Sequence, residues 1–303
     1  MEEAMEAEFG IRAAAVEALG LLQVVEAIPE LTAALRHHPL HEAAGKALSQ
    51  FPPERTLPYL RAALKEDTLL HGAWTALSHV GTPEAAELLI DALLKAGVAL
   101  ESAELLHRFP PPVLAEQTQR LFDAAEPQQQ LAALALHARL EGAATPPVVQ
   151  ELLDHPEWEV RRDLVGVLGS LKDAEAEAAL VQVLTQDPTQ VVRQRAAEVL
   201  ETRGWQPASP EEEAAYQTAR RNFSVAATLG ATAVAPLKVA IQPETDLEEE
   251  TRSRRDNRSS RREAVMAFSQ SAAPTDAPAL VPLLSDADDE VRYHALMGIE
   301  RLR

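Results

Sequence analysis

Short amphipathic helical segments recur at a nearly fixed interval along this chain, and this period constrains the fold more than any other feature. Each segment ends near a large apolar residue, which we call its anchor. Successive anchors are 29 to 32 residues apart, except for one gap of 68 that predicts an additional, atypical repeat. The anchors are Leu19, Leu48, Leu77, Leu106, Leu136, Leu168, Leu200, Phe268 and Ile299. A period near 30 with little sequence identity is typical of solenoid repeats.

Each repeat contains two predicted helices. The anchor helix, B, has small and apolar residues at i, i+3, i+4 and i+7, as at Ala15, Ala18, Leu19 and Leu22. A second helix, A, precedes it, and the predicted A helices span 27–35, 57–64, 85–94, 113–122, 148–153, 174–184 and 277–284. One helical pair cannot bury its apolar stripe alone, whereas stacked pairs bury it against each other. We therefore predict an all-α fold, an α-α superhelix, with residues 1–303 forming a single solenoid of about nine to ten helical pairs.

The composition excludes several classes of protein. The formal net charge is −19, spread over both halves of the sequence, which argues against general binding to nucleic acids or anionic membranes. The chain has no cysteine, so disulfides, thiolate zinc sites and cysteine nucleophiles are excluded. It has no apolar run near the ~18 residues of a membrane span, and its acidic first ten residues lack the basic start and apolar core expected of a secretion signal. We expect an acidic, cytoplasmic monomer.

Three segments share a phrase in which an acidic residue precedes Val-Arg, with small residues after the arginine. The copies are Glu157 to Arg161, Asp187 to Arg193 and Asp288 to Arg292, and Ala196, Ala197 and Leu200 complete the second one. This phrase resembles the HEAT-like repeats named after the phycobilisome lyases. The resemblance implies a solenoid of HEAT-like repeats.

The resemblance does not extend evenly along the chain. It covers residues 150–303 and 10–50, and it is weaker over 51–145. The segment 204–237 is similar to an atypical repeat that is common in the same class. We therefore expect the divergent repeats, 51–145, to keep the scaffold while presenting different surfaces.

An arginine lies seven residues before the anchor in five repeats. These residues are Arg12, Arg161, Arg193, Arg261 and Arg292. The resemblance to HEAT-like repeats implies that such arginines pair with acidic loop residues and form a structural ladder along the stack. The corresponding position holds His41, Leu70, Ala99 and Gln129 in the second to fifth repeats, so the ladder is expected to be interrupted there.

The histidines and acidic residues are the candidates for catalysis or metal binding in this sequence. His107 and His137 both follow an anchor directly, but a zinc or iron site needs at least three ligands, and no third residue shares their register. The pair His41-Glu42 is similar to the His-Glu pairs of deoxyhypusine hydroxylase, a di-iron enzyme of HEAT-like repeats. Because that family needs several such pairs and this chain has one, we exclude the assignment. We expect no catalytic residues, no metal and no cofactor.

The most distinctive segment is a charged insertion at 242–260, which lies before the helix of Arg261. Its arginines, together with one in the following helix, form the predicted partner-binding set: Arg252, Arg254, Arg255, Arg258 and Arg262. Arginine binds carboxylate and phosphate in a bidentate manner, so an acidic partner is one interpretation. The alternative is a solvated loop or helix extension whose charges pair internally, because Glu248 and Arg252 have the helical i,i+4 spacing.

The function predicted from these patterns is recognition of another protein, as a scaffold, adaptor or assembly factor, because solenoids present long surfaces. An enzyme is the less favoured class. One alternative is a phycobilin lyase or chromophore chaperone, which the resemblance permits. Another is a DNA glycosylase built from HEAT-like repeats, which the acidic charge disfavours.

Overall fold

The structure of the protein is a computed structural model. It describes the backbone of residues 2–98, 104–124, 126–140, 144–242 and 251–303, and the side chains of these ranges except at 2–8 and 251–259. Within these ranges the secondary structure is helical and no strand occurs. The chain divides into two compact units, unit 1 at 1–143 and unit 2 at 144–303.

Unit 1 alternates A and B helices after an initial B helix. Its α-helices are α1 (Glu2–Leu21), α2 (Ile28–Ala34), α3 (His41–Ser49), α4 (Pro53–Ala63), α5 (Leu70–Val80), α6 (Pro83–Lys95), α7 (Pro111–Phe122) and α8 (Pro127–His137). Short 3₁₀ helices lie at Val25–Ala27, His38–Leu40 and Glu104–Arg108. The B helices α1, α3 and α5 pack side by side in sequence order, so the stack expected from the period is present in unit 1.

Unit 2 continues the same alternation. Its α-helices are α9 (Val148–Leu153), α10 (Trp158–Leu168), α11 (Ala174–Gln186), α12 (Gln190–Thr202), α13 (Pro210–Ala219), α14 (Phe223–Thr228), α15 (Val234–Ala240), α16 (Thr251–Ser271) and α17 (Asp289–Arg301). Two 3₁₀ helices lie at Gly230–Ala233 and Pro274–Ser285. The pair α13 and α14 occupies the 68-residue gap, where the sequence predicted an atypical repeat.

Local sequence explains where many helices begin. Proline occupies the first position of α4, α6, α7, α8 and α13, where its missing N–H is not needed. Side chains that accept hydrogen bonds from the first turn cap four helices: Thr82 for α6, Asp173 for α11, Ser209 for α13 and Asp288 for α17. These residues mark where A and B helices begin, so the helices recur in the structure at the interval seen in the sequence.

The anchors form the core of each unit. Seven of them, from Leu48 to Phe268, are fully buried, whereas Leu19 and Ile299 are partly exposed. Small residues let neighbouring B helices approach closely. A Cβ on Gly20 would lie 2.5 Å from the Cα of Ala47, so α1 and α3 touch through their backbones there. The predicted all-α helical-repeat fold is confirmed.

Two predicted elements take a different helical form. The A helix predicted at 277–284 is part of the 3₁₀ helix Pro274–Ser285, because Pro278 and Pro282 inside it cannot donate α-helical hydrogen bonds. The anchor Leu106 lies in the short 3₁₀ helix Glu104–Arg108. None of the described helices is long and apolar enough to cross a membrane.

Candidate functional site

Arg161, one of the predicted ladder residues, makes several polar contacts. It lies on α10, and its guanidinium donates to both carboxylate oxygens of Asp187, at 2.7 Å from Nε and 3.2 Å from Nη2. It also donates to the carbonyl of His155 at 2.7 Å and to the hydroxyl of Thr189 at 3.0 Å. The side chains of Arg161 and Asp187 are 8% and 3% exposed, so this is a buried ion pair that links α10 to the loop before α12.

The next ladder arginine along the chain also contacts Asp187. Arg193, on α12, donates from Nε to the backbone carbonyl of Asp187, six residues before it. Burial lowers the pKa of Arg193 to about 10, and the charge of Asp187 opposes this effect. Asp187 therefore receives one arginine on its carboxylate and the next on its carbonyl, which fixes two successive repeats to one loop.

The same arrangement recurs at the C-terminal end of unit 2. Arg261, on α16, contacts the carboxylate of Asp286, and Arg292, on α17, donates to the carbonyl of Asp286 at 2.7 Å. Arg261 precedes Asp286 by 25 residues, as Arg161 precedes Asp187 by 26. Arg292 follows Asp286 by six residues, as Arg193 follows Asp187. In unit 2, Arg161 and Arg261 thus pair with a carboxylate in the loop of the following repeat. Arg193 and Arg292 instead donate to a carbonyl in the loop before their own helix.

Arg262 was predicted to bind a partner, and the structure places it against two acids of the next helix. Its guanidinium contacts Asp288 at 2.9 Å and Glu290 at 2.7 Å. The hydrogen bond from Arg262 lowers the pKa of Asp288, against the opposing effect of burial. Asp288 also caps α17 by accepting from the N–H groups of Glu290 and Val291, so Arg262 helps to hold the start of that helix.

The other predicted partner-binding arginines are Arg252, Arg254, Arg255 and Arg258. Their side chains lie outside the described residues, as does the whole segment 243–250. The backbone from 251 onward belongs to α16, which runs without interruption to Ser271. The last ladder residue, Arg12, lies on α1 with its guanidinium carbon 5.9 Å from the ring centre of Phe9.

Unit 1 contains a polar cluster that the sequence analysis did not predict. It consists of Glu42 on α3, His79 on α5 and Arg108 in the 3₁₀ helix at 104–108. Arg108 donates from Nη2 to Glu42 Oε1 at 2.6 Å, and its Nη1 lies 2.6 Å from Nε2 of His79. That same nitrogen of His79 lies 2.8 Å from Glu42 Oε2. We call these three side chains the polar cluster; they join three successive repeats.

The protonation state of His79 decides which contact of the polar cluster is a hydrogen bond. A protonated Nε2 donates to Glu42, whereas an unprotonated Nε2 accepts from Arg108. The hydrogen bond from Arg108 lowers the pKa of Glu42, burial opposes this, and His79 lowers it further. Glu42 and Arg108 are substantially exposed, so the polar cluster lies at the surface, unlike the buried pair of Arg161 and Asp187.

The histidines considered as metal ligands have separate contacts. His107 lies 3.0 Å from the guanidinium of Arg139, and the ring of His137 packs edge-on against Phe122. Burial and the neighbouring His38 lower the pKa of His41. Among the described residues, no group of three His, Asp or Glu side chains is arranged to hold a metal ion.

Two family models match parts of the chain. The model of HEAT repeats matches residues 114–201, and the model of the PBS lyase HEAT-like repeat matches residues 11–37. The first match extends into 114–145, where the resemblance noted from the sequence was weaker. These matches define the class of protein, one built from helical repeats of the HEAT type. The chain is a HEAT-like repeat protein.

Comparisons with individual proteins add little to this assignment. No curated protein matches the chain. Among solved structures, a designed armadillo repeat protein, YIII(Dq)4CqI, is 16% identical over 91% of this chain and 100% of the designed chain, with a TM-score of 0.21. At so low a TM-score the similarity carries no argument, and no property of the designed protein is transferred.

Proposed function

We propose that this protein recognises another protein, as a scaffold, adaptor or assembly factor, through surfaces of its helical repeats. The observation that carries the proposal is the contrast between a regular core and an irregular surface in unit 1. The anchors Leu48, Leu77, Leu106 and Leu136 are fully buried, while the ladder arginine is replaced in all four repeats. Packing is maintained there, whereas the residue seven before the anchor is histidine, leucine, alanine or glutamine.

Two regions are the proposed binding surfaces. One is the set of divergent repeats, 51–145, where Tyr59 is 42% exposed on α4 and Arg108 is partly exposed beside Glu42. Tyrosine and arginine are among the residue types that are enriched where binding energy concentrates at protein interfaces. The other region is the arginine-rich start of α16, which concentrates positive charge on a protein with a net charge of −19. An acidic partner would be attracted there and repelled elsewhere.

A binding experiment separates the two regions. The partner is first captured from native lysate on the immobilised protein, identified, and purified for measurements of affinity at several salt concentrations. Changing Arg254, Arg255 and Arg258 to glutamate is expected to slow association and weaken its salt dependence if α16 docks the partner. Changing Tyr59 to serine and Arg108 to glutamate is expected to speed dissociation if the divergent repeats, 51–145, bind the partner.

The matched control reverses three other exposed positive charges, Lys172, Arg195 and Arg220, and should leave affinity nearly unchanged. Unchanged binding by both test variants would contradict both proposed surfaces. If the protein retains no stoichiometric protein partner, the proposed function itself is wrong. An absorption band from a tetrapyrrole bound to the purified protein would instead favour the lyase alternative, which the description of the repeat at 11–37 permits.

A further inference from the structure

His41 occupies the position of the ladder arginine in the second repeat, and it shares one of the ladder's contacts. Its ring interacts with the backbone carbonyl of Leu35, six residues before it. Arg161, Arg193 and Arg292 each donate to a carbonyl six residues before them. Arginine stays charged near neutral pH, whereas histidine ordinarily changes its charge between pH ~5 and ~8. A ladder position of unit 1 is therefore filled by a residue that titrates.

Two further histidines lie beside His41. They are His38, in the 3₁₀ helix before α3, and His71, on α5 of the next repeat. The ring centres of His38 and His41 are 5.2 Å apart, and the charge of His71 also acts on His41. His41 is partly buried, whereas His38 and His71 are exposed. We call these three residues the histidine cluster; they connect the second repeat to the third.

The backbone is tightly packed beside the histidine cluster. Gly72 follows His71 directly, and a Cβ on Gly72 would lie 2.4 Å from the carbonyl oxygen of Leu35. The start of α5 thus touches the residue after α2 at the same carbonyl that interacts with His41. Repulsion between rings of the histidine cluster would therefore act on a place where the backbones of two repeats are in contact.

The surroundings of His41 disfavour its protonated form. Burial lowers the pKa of His41 most, His38 and His71 lower it further, and the carbonyl of Leu35 and the carboxylate of Glu42 oppose them. Two unit charges at the 5.2 Å between the rings of His38 and His41 repel enough to change an equilibrium constant about fourfold, even at the dielectric constant of water.

Carboxylates compensate the ladder charges of unit 2 more closely than that of His41. The carboxylate of Asp187 is buried against Arg161. Glu42, which acts on His41, belongs to the polar cluster and is exposed. Asp67 lies 26 residues after His41, as Asp187 does after Arg161, but its side chain is exposed. A charge on His41 is therefore met by two histidines and only weakly by carboxylates.

We propose that the histidine cluster is an acid-sensitive contact between repeats, which holds α5 against α2 and α3 while its rings are neutral and weakens when they are protonated. Because the folded protein disfavours the charged form of His41, the unfolded chain binds the proton more readily. The contact is fully present above pH ~6.5, where histidine is ordinarily neutral, and it is lost as the pH falls through the pKa of His41 in the folded protein. Aspartate ordinarily titrates near pH ~3.9, so the arginine–aspartate contacts of unit 2 persist over this range.

Hydrogen exchange of the backbone amides of the chain 1–303, followed by mass spectrometry, tests the proposal. Exchange is compared at pH ~7.5 and pH ~5.5, and at low salt, because salt screens the repulsion. After correction for the pH dependence of the intrinsic exchange rate, the amides of α3 and α5 are expected to lose protection about fourfold or more. The amides of α10 and α12 in unit 2 are expected to change by less than about twofold, because their ladder contacts do not titrate in this range.

The variant His41→Gln separates charge from packing. Glutamine is neutral at both pH values and its amide can donate to the carbonyl of Leu35, so protection at the higher pH is expected to be kept and most of the loss in acid to disappear. The matched control is His294→Gln, at a histidine on α17 of unit 2 whose ring lies 5.3 Å from that of Tyr293. It should leave the loss of protection in α3 and α5 unchanged.

Circular dichroism checks that each variant is folded. If His41→Gln is not, His38→Gln and His71→Gln replace it, because both positions are exposed and each change removes one of the repelling charges. Each should then reduce the loss of protection in acid.

Several results would overturn the proposal. Unchanged protection at the lower pH means that the contact is not acid-sensitive, and an equal loss in both units shows a general effect of acid. A loss in unit 1 that survives the histidine variants shows that other groups carry it. Protection of α5 that increases in acid shows that charged His41 binds Asp67, as Arg161 binds Asp187. None of these results bears on the proposed function, because the contact lies within one chain and the experiment uses no partner.

Discussion

Units 1 and 2 each have an apolar core built from anchor residues, but they connect their repeats through different polar contacts. In unit 2 a buried arginine and aspartate, Arg161 and Asp187, join neighbouring repeats, and Arg261 and Asp286 repeat this contact. In unit 1 the polar cluster of Glu42, His79 and Arg108 joins three repeats at the surface. Four anchors in unit 1 and three in unit 2 are fully buried. Apolar packing is therefore the requirement common to all repeats, and the polar connection between them is free to vary.

The difference in burial predicts a difference in energy. Removing one partner of a buried ion pair leaves a charge without compensation, which costs about 3–5 kcal/mol. Removing one partner of an exposed pair costs about 0–1 kcal/mol, because water replaces it. The two units should therefore respond very differently to the loss of one carboxylate, and equally to the loss of one anchor.

The largest effect is expected for Asp187→Ala. The change leaves the buried guanidinium of Arg161 without its carboxylate and removes the acceptor for the N–H of Thr189. The expected loss of unfolding free energy is about 3–5 kcal/mol, measured by urea denaturation. Asp163→Ala is the control, because Asp163 pairs with Arg162 where both side chains are 41% exposed, and it should cost about 0–1 kcal/mol. Equal effects of the two changes would contradict the role assigned to the buried pair.

The next largest effect tests what the units share. Leu168→Ala in unit 2 and Leu77→Ala in unit 1 each remove a fully buried anchor and leave a cavity, so each is expected to cost about 2–5 kcal/mol. Similar values in denaturant melts would support a common apolar core. Lys172→Ala, at an exposed position, should change stability by less than about 0.5 kcal/mol. A small loss for Leu77→Ala alone would mean that the anchors of unit 1 do not carry its stability.

The apolar part of the structure was predictable from the sequence, because burial imposes a period that the residues display directly. Seven of the nine anchors are fully buried, and the predicted A helix at 148–153 coincides with α9. The 3₁₀ form of Pro274–Ser285 was missed, although its prolines at four-residue spacing were the signal. Periodicity reports which face is apolar, whereas the type of helix depends on where backbone N–H groups are missing.

The polar contacts were predictable only where a repeated phrase carries them. The resemblance to HEAT-like repeats implied that arginines such as Arg161 meet loop acids, and its contact with Asp187 is of that kind. The polar cluster was missed because its residues follow no phrase. A weak signal existed: His79 and Arg108 both lie two residues after an anchor. Glu42 lies at an unrelated position, 66 residues before Arg108, and only the folded stack brings them together.

The smallest expected effect concerns the polar cluster and its dependence on pH. The pKa of Glu42 is lower in the folded protein than its ordinary value, chiefly because Arg108 donates to its carboxylate. A group with a lowered pKa stabilises the folded state above its unfolded pKa, and this contribution is lost as the pH falls through the folded pKa. Glu42→Gln should therefore cost at most about 1 kcal/mol near neutral pH, because the carboxylate is exposed.

The pH dependence distinguishes this contribution from a change in packing. The stability difference between wild type and Glu42→Gln, measured by urea denaturation, should be largest well above pH ~4.3 and should shrink below it, where the wild-type carboxyl group also becomes neutral. Glu66→Gln is the control, because Glu66 forms a single exposed contact with Arg36 at 3.3 Å, and its effect should be smaller throughout. A difference for Glu42→Gln that stays constant with pH would show that its charge is not what stabilises unit 1. A cost of several kcal/mol would remove the contrast with Asp187, because the exposed cluster would then connect its repeats as strongly as the buried pair does.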